Sequence, residues 1–335
     1  MKNLKRIAIA CSTAVIFVAL TPSVANAAEA PPEKSYDTKV MSGLISTSKL
    51  TVELLKSHGG FYEAAAGLAT VSIPKNPEQP VSIFNQNEPN AVLVKASVDS
   101  INPKQYVEKN TVVTQDKNMF IGLQVVDGGI QQIAYIKNNA ATRLISVNYS
   151  TRGSAHLAFA KDNKGRTDGS VALFEDAAEN NPILFMPVPS VKDANGKPVR
   201  IHYQIEDHNL VQLIDQTSNV EYPIVSTFTS IGTFFSSDGW IYRSPMWSLS
   251  LVPNLWFRVA GGLSGVAEEI VNRQAWNQIY AKHHANGHWR DRNVNGMFNQ
   301  YECHFHFGFW KSAFNIEPDR PNPDFGTYLK TRCNP

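Results

Sequence analysis

Short apolar or alternating runs dominate the chain after about residue 90, and this pattern predicts a mostly β structure. Asp-Gly or Asn-Gly pairs at 127–128, 168–169 and 195–196 separate such runs, and these pairs tolerate the positive φ angles of hairpin turns. Many short strands joined by turns are typical of a sandwich or a curled sheet. We predict strands over Ala91–Val98, Met119–Val125, Ile130–Ile136, Leu144–Tyr149, Val171–Phe174 and Val199–Ile205.

Two other segments carry a helical pattern. We predict one helix around Leu50 to His58 and a second from Ser264 to about His284, with Gly287 as its stop. After Gly287 we expect a loop-rich aromatic segment, in which His304 and His306 would share one face if they lay on a strand. The second helix has an apolar face that repeats every four residues, formed by Ala267, Val271, Ala275 and Ile279.

The N-terminus has the pattern of a cleaved export signal. Three cations between Lys2 and Arg6 precede an uncharged apolar run over Ile7–Leu20, and Ala25-Asn26-Ala27 provides an A-x-A cleavage site. We therefore predict a signal peptide over 1–27, a flexible tail over 28–45 and a secreted, extracellular protein. The rest of the sequence contains no apolar run of 18 residues, so we expect no stable membrane span.

Export changes what the cysteines and the charge imply. The signal contains one of the three cysteines, and an exported chain meets an oxidising compartment. We therefore predict a Cys303–Cys333 disulfide that closes a loop of about 30 residues. Removing the three cations of the signal lowers Lys plus Arg from 31 to 28, against 29 Asp plus Glu. A nearly neutral chain does not favour a protein that coats nucleic acid.

Composition divides the mature chain into two parts. All six tryptophans lie at or after Trp240, and five of the nine histidines lie between His283 and His306. We predict a β-rich module over 46–225, a connector over 226–237 and a C-terminal effector domain over 238–335. The predicted fold class is α+β, with a mostly β N-terminal module followed by a small disulfide-closed α+β domain.

Residues from about 168 to 225 resemble the N-terminal β module of many secreted proteins of Gram-positive bacteria. Members of that group usually continue with Ala-Asp-Pro after the last motif, whereas this chain has Ser226-Thr227-Phe228. The matching stretches are Asp193-Ala194-Asn195-Gly196-Lys197-Pro198-Val199, Tyr203, Leu210-Val211-Gln212 and Tyr222-Pro223-Ile224-Val225.

Residues from about Trp240 to Pro335 resemble a secreted bacterial C-terminal domain of unknown function. The resemblance implies a fold unit and export, and the family brings no established activity. The matching residues follow in order over roughly 96 positions: Trp240, Arg243, Ser248-Leu249-Ser250-Leu251, Pro253, Ala275-Trp276, Trp289, Met297, Gln300-Tyr301, Cys303-His304, Lys311, Asn315-Ile316-Glu317-Pro318, Arg320-Pro321 and Cys333-Asn334-Pro335.

A shared β module followed by a separate C-terminal domain resembles the layout of exported antagonistic proteins. By this analogy we expect a bacteriocin-like protein that acts on neighbouring bacteria or on the cell envelope. The expected partners are an envelope component or a target cell, together with an immunity protein. The sequence requires no cofactor.

One polar set in the C-terminal part predicts hydrolase chemistry as an alternative. His304 and Glu317 are a candidate acid–base pair, and Lys311 and Arg320 are candidate phosphate ligands, as in a ribonuclease. Glycan hydrolysis would need a second carboxylate, which Glu302 or Asp319 could supply. The same residues, with Asn315, also suit an architectural role in which Glu317 pairs with Arg320, and polar residues in loops more often serve structure.

Histidines and aromatic residues leave further alternatives open. His283, His284, His288, His304 and His306 lack the spacing of a known zinc motif, so we predict no metal site. The segment from Tyr222 to Ala267 has only three charged residues, and Trp240, Trp247 and Trp256 within it are candidates for contact with the envelope. The alternating Ser248–Leu251 favours a buried β-rich core instead. Between Asp238 and Pro335 there are 17 aromatic residues, which also suits a non-catalytic wall-binding protein.

Overall fold

The computed structural model describes residues 53, 55–85, 91–96, 103–115, 118–138, 144–151, 153–214, 220–261 and 265–335. These residues belong to one compact unit, Leu50–Pro335. The predicted signal peptide, the tail over 28–45 and the Ser264 cap lie outside the described residues. No helix in the described part of the chain is long and apolar enough to cross a membrane.

The described chain is mostly β. Its strands are β1 Lys56–His58, β2 Phe61–Ala66, β3 Ala69–Pro74, β4 Val81–Asn85, β5 Val92–Ala96, β6 Lys104–Glu108, β7 Thr111–Gln115, β8 Met119–Val126, β9 Gly129–Ile136, β10 Leu144–Ser150, β11 His156–Phe159, β12 Val171–Phe174, β13 Pro182–Met186, β14 Ser190–Lys192, β15 Ile201–Glu206, β16 Asn209–Ile214, β17 Ile224–Ile231, β18 Phe235–Arg243, β19 Met246–Pro253 and β20 Phe314–Ile316. Its helices are α1 Leu255–Gly261, α2 Val266–His283, α3 Val294–Phe307 and α4 Phe325–Lys330, with a 3₁₀ turn at Asp291–Asn293.

Strands β1 to β17 form two antiparallel sheets. One sheet has the order β1-β2-β3-β4-β5-β10-β16-β15, and the other has the order β11-β12-β13-β17-β9-β8-β7-β6, with β14 paired to β17. Val71 and Ile83 of the first sheet share a buried cluster with Leu123 and Ala134 of the second. The two sheets therefore pack as a sandwich, and each strand predicted from the apolar runs is confirmed within the described residues, with 97–98 of the first predicted strand lying outside them.

The hairpin between β8 and β9 shows how a local signal specifies this fold. Asp127 and Gly128 form its turn, and Gly128 has a φ of 91°. A Cβ atom at Gly128 would lie 2.5 Å from the carbonyl oxygen of Thr233 and 2.6 Å from Nδ2 of Asn254. Only glycine satisfies both the positive φ and this close approach.

The C-terminal part has an α+β arrangement, as predicted. The three-stranded sheet β18-β19-β20 packs with α1, α2 and α3 around Phe257, whose ring lies 4.8 Å from that of Phe305. This second cluster also includes Phe174 and Phe185 of the sandwich. Residues on both sides of the predicted 226–237 connector therefore share one core, and the domain boundary itself stays a prediction.

Two local predictions are wrong. The helix predicted around Leu50 to His58 is replaced at Lys56–His58 by strand β1, because the Gly59-Gly60 turn returns the chain to pair with β2. The loop-rich segment predicted after Gly287 contains the 14-residue helix α3. His304 and His306 therefore lie on a helix rather than a strand. The helical face that the prediction missed consists of Met297, Tyr301 and Phe305, which are spaced four apart and fully buried.

The predicted helix from Ser264 to His284 is confirmed as α2. Val271, Ala275 and Ile279 of its predicted face are buried, and Ala267 is half-buried. The helix also joins the sandwich through polar contacts, since Gln278 Nε2 donates to the carbonyl oxygen of Gly232 at 2.6 Å.

Candidate functional site

The four residues of the candidate hydrolase set lie where α3, the following turn and β20 meet. Nδ1 of His304 is 3.4 Å from Nζ of Lys311, and Arg320 Nε donates to Glu317 Oε2 at 2.9 Å. The fold therefore brings the set together as two separate pairs. Within the described residues, no hydrogen bond joins His304 to Glu317.

His304 is enclosed by the core. It is 1% exposed, and its ring stacks on Phe314 with centroids 5.0 Å apart. Burial, aided by the positive charge of Lys311, lowers the pKa of His304 to about 3 against the opposing effects of Asn315 and Asn334. The ring is therefore uncharged at neutral pH. A general base must reach the proton that it removes, and this burial instead favours a packing role for His304.

Lys311 lies between this buried histidine and the surface. Its Nζ donates to the carbonyl oxygen of Arg332 at 2.9 Å. Burial and the positive charge of Arg332 lower the pKa of Lys311, and Glu317 opposes that shift. Lys311 therefore ties the turn after α3 to the C-terminal segment.

Glu317 is a buried carboxylate with three side-chain donors. It is 2% exposed and accepts hydrogen bonds from Ser248 Oγ at 3.1 Å, Arg243 Nη1 at 3.4 Å and Arg320 Nε at 2.9 Å. The main chain of Glu317 also exchanges two hydrogen bonds with the side chain of Gln300, both of 2.9 Å. Glu317 thus connects β19, α3 and the segment after β20, as in the architectural alternative.

We expect Glu317→Gln to lower the free energy of unfolding by about 2 kcal/mol, because it removes the charge that Arg243 and Arg320 bind in a buried site. Chemical denaturation monitored by tryptophan fluorescence measures this change. The matched control is Asp319→Asn, since Asp319 also pairs with two arginines but is 36% exposed. We expect the control to lose at most about 1 kcal/mol. Equal losses in both variants would contradict the structural role of Glu317.

The three tryptophans predicted to contact the envelope are half-buried. Trp240 and Trp256 pack against the second core cluster, and Trp247 stacks on His288 with ring centroids 3.8 Å apart. Among the described residues, the indole nitrogens of Trp240 and Trp256 are buried without a hydrogen-bond partner. Contact of these three residues with the envelope stays a prediction, and their packing also fits the buried β-rich core.

The other C-terminal histidines have separate partners. Asp238 accepts from Lys282 Nζ at 2.6 Å and lies 3.1 Å from Nε2 of His283. Burial raises the pKa of Asp238, but hydrogen bonds from His283 and Lys282 outweigh this effect and lower it. His306 lies 3.1 Å from Glu268. Within the described residues, no three His, Cys, Asp or Glu side chains are placed to hold a metal ion.

A surface cleft that the sequence did not predict lies beside the disulfide. The predicted Cys303–Cys333 bond is present, and the cleft has a volume of about 470 Å³. Trp310 is 67% exposed, in contrast to the five other tryptophans, which are half-buried or buried. We call this surface the Trp310 cleft; its lining residues are Phe307, Trp310, Lys311, Leu329, Arg332 and Cys333.

The backbone holds one wall of the Trp310 cleft in an uncommon conformation. Arg332 and Cys333 have φ angles of 55° and 69°, in the left-handed region that side chains disfavour. The N–H of Cys333 donates to the carbonyl oxygen of Tyr328 at 2.7 Å. The disulfide to α3 and this hydrogen bond together keep the C-terminal segment in place.

Residues 235–335 match a family described as "Protein of unknown function (DUF2599)". The match spans β18 to the C-terminal segment and includes every candidate residue described above. It confirms the expectation of a C-terminal domain of unknown function.

Other comparisons add little. No curated protein matches the chain. Among solved structures, the chain is similar to a mutant of the glycoside hydrolase family 81 enzyme from Clostridium thermocellum, with a TM-score of 0.29 and 8% sequence identity. The alignment covers 62% of this chain and 31% of that protein, so this chain spans about a third of its length. A likeness this weak carries no argument about function.

Proposed function

We propose that the chain is a secreted antagonistic, bacteriocin-like protein that binds the envelope of neighbouring bacteria through its C-terminal region. The observation that carries the proposal is the Trp310 cleft, where a tryptophan that is 67% exposed lies beside Lys311 and Arg332. Clustered exposed apolar side chains on a folded protein commonly mark an interaction site.

Two features support export. The N-terminal sequence has the charged, apolar and small-residue regions of a cleaved signal. The Cys303–Cys333 disulfide is of a kind that persists in oxidising compartments outside the cytosol. The partner in this proposal is an envelope component of the target cell, and a producing cell needs an immunity protein or a different envelope.

The geometry favours binding over hydrolysis. A ribonuclease that uses His304 and Glu317 needs both side chains to reach a substrate, but they are 1% and 2% exposed. A non-catalytic wall-binding protein is the third alternative, for which the exposed aromatic residues are sufficient. Killing, RNA cleavage and co-sedimentation assays on the wild type and three variants separate all three.

We expect the purified protein to kill sensitive bacteria on a lawn and to leave total RNA intact. Trp310→Ala should need about tenfold more protein for the same killing, because it removes the largest exposed apolar side chain of the cleft. In our proposal killing does not depend on hydrolysis by His304, so the variant His304→Gln should still kill. The matched control is Tyr242→Ala, which removes another aromatic side chain, 60% exposed, on β18.

Each alternative has its own outcome. Killing and RNA cleavage that are both lost in His304→Gln, with an unchanged melting temperature, would identify a hydrolase. Co-sedimentation with peptidoglycan without killing would identify a wall-binding protein. Loss of killing in Tyr242→Ala but not in Trp310→Ala would move the binding surface to the neighbourhood of Trp247, which the Tyr242 ring contacts at 5.6 Å.

A further inference from the structure

The Trp310 cleft is the centre of a larger apolar surface. Phe307 and Trp310 are 47% and 67% exposed at the end of α3 and after it, and Phe325 and Leu329 are 39% and 44% exposed on α4. The rings of Phe307 and Phe325 are 6.0 Å apart, so the two elements present one continuous surface. Four large apolar side chains that remain half in solvent gain free energy when a partner covers them.

Positive charge borders this apolar surface. Lys330 and Arg332 are exposed at the end of α4, and no ion pair with a described residue holds either side chain. Lys311 adds a third cation inside the cleft. The nearby carboxylate of Asp324 accepts hydrogen bonds from the N–H and hydroxyl groups of Thr327, where it caps α4. The side chains of Lys330 and Arg332 at the edge of the surface are therefore available to bind an anion.

The side chains in the cleft discriminate between possible ligands. Its six lining residues provide apolar area and cationic donors, and none of them carries a carboxylate, amide or hydroxyl group that accepts a hydrogen bond. A neutral glycan presents hydroxyl groups that both donate and accept, and the side chains of this lining offer them donors but no acceptor. An anionic amphiphile, with an apolar body and a negative head, matches both properties of the cleft.

We infer that this surface docks on the anionic lipid bilayer of the target cell, an inference that rests on the proposed envelope-directed function. Trp310, Phe307, Phe325 and Leu329 enter the interfacial layer, and Lys330 and Arg332 bind the lipid headgroups. Tryptophan is favoured at the boundary between acyl chains and headgroups, and exposed cations near a bilayer are attracted by anionic lipid. The protein lies on the bilayer as a peripheral protein.

Vesicle flotation tests the inference with the purified exported chain. We expect binding to vesicles of phosphatidylcholine mixed with phosphatidylglycerol, and about tenfold weaker binding to phosphatidylcholine alone. Trp310→Ala should reduce the partition coefficient about tenfold, whereas Phe84→Ala, which removes a side chain 47% exposed on β4, should not change it. The pair Lys330→Gln and Arg332→Gln should weaken binding to anionic vesicles, and the control pair Lys164→Gln and Lys197→Gln should not.

Equal binding to neutral and anionic vesicles would overturn the inference. A loss of binding that is the same in the cleft variants and in their controls would also overturn it. Inorganic phosphate at the concentration of the lipid headgroups should not release the protein, since release would identify a free anion as the ligand.

The lawn assay keeps the inference and the proposed function separate. Killing without vesicle binding would leave the proposed function intact and reject the lipid surface as the ligand. Vesicle binding without killing would support docking on lipid and reject the antagonistic role.

Discussion

We expect the replacement of both Cys303 and Cys333 with alanine to lower the free energy of unfolding by about 3 to 4 kcal/mol. The disulfide links residues 30 positions apart, and an unfolded chain without it regains the entropy of an open loop of that length. Both cysteines are buried in a small cluster with Tyr328, so the bond lies within packed structure. Urea denaturation of the wild type and of the double variant measures the difference.

Reduced wild type provides the control for this prediction. It keeps both sulfur atoms and loses only the covalent link, so its stability should fall by a similar amount. Cys333 also lines the Trp310 cleft, and we expect reduction to weaken vesicle binding by releasing the C-terminal segment from α3. A loss below about 1 kcal/mol in both samples would mean that packing alone holds the segment.

We expect acid to destabilise the protein through His304. Its pKa of about 3 in the folded protein lies below the ordinary value of 6.5, so the unfolded chain binds more protons between these two pH values. His304 therefore does not reduce the free energy of unfolding well above pH 6.5, and this free energy falls as the pH drops from 6.5 towards 3. At pH 5, which is 1.5 units below the ordinary pKa, His304 lowers the free energy of unfolding by about 2 kcal/mol, because each unit is worth about 1.4 kcal/mol.

The variant His304→Gln isolates this effect, because glutamine does not titrate. Its stability relative to the wild type should rise by about 2 kcal/mol between pH 7 and pH 5, as measured by urea denaturation at both pH values. The control is His284→Gln, since His284 is exposed just after α2, where its ring stacks on Tyr280 and its Nδ1 lies 2.8 Å from the carbonyl oxygen of Tyr280. Parallel pH profiles for the wild type and His304→Gln would show that His304 is accessible to protons in the folded state.

His304, Lys311 and the disulfide belong to one connected network of contacts. Lys311 contacts buried His304, binds the carbonyl oxygen of Arg332 and lines the Trp310 cleft. The disulfide ties the same segment to α3. In our proposals this network keeps the cleft in shape, so that His304 and Lys311 support a binding surface.

Several elements were predictable because their signals are local. The β8–β9 hairpin follows from two apolar runs and one Asp-Gly pair, and α2 follows from an apolar repeat every four residues. The strand at Lys56–His58 was missed because its pairing with β2 outweighs a helical local pattern. Helix α3 was missed although Met297, Tyr301 and Phe305 repeat every four residues, because Asn295 and Gly296 in its first turn have low helix propensity.

The sequence by itself determined the β-rich class, the α+β character of the C-terminal part and the Cys303–Cys333 pairing. Each of these depends on residue spacing along the chain or on the oxidising compartment that the predicted signal peptide implies. Only the tertiary structure decided which polar side chains are buried and which aromatic side chains are exposed. His304 and Trp310 are six residues apart, yet one is 1% and the other 67% exposed. Exposure depends on what distant segments cover, here β20 over His304 and no described element over most of Trp310, and the order of residues alone does not specify it.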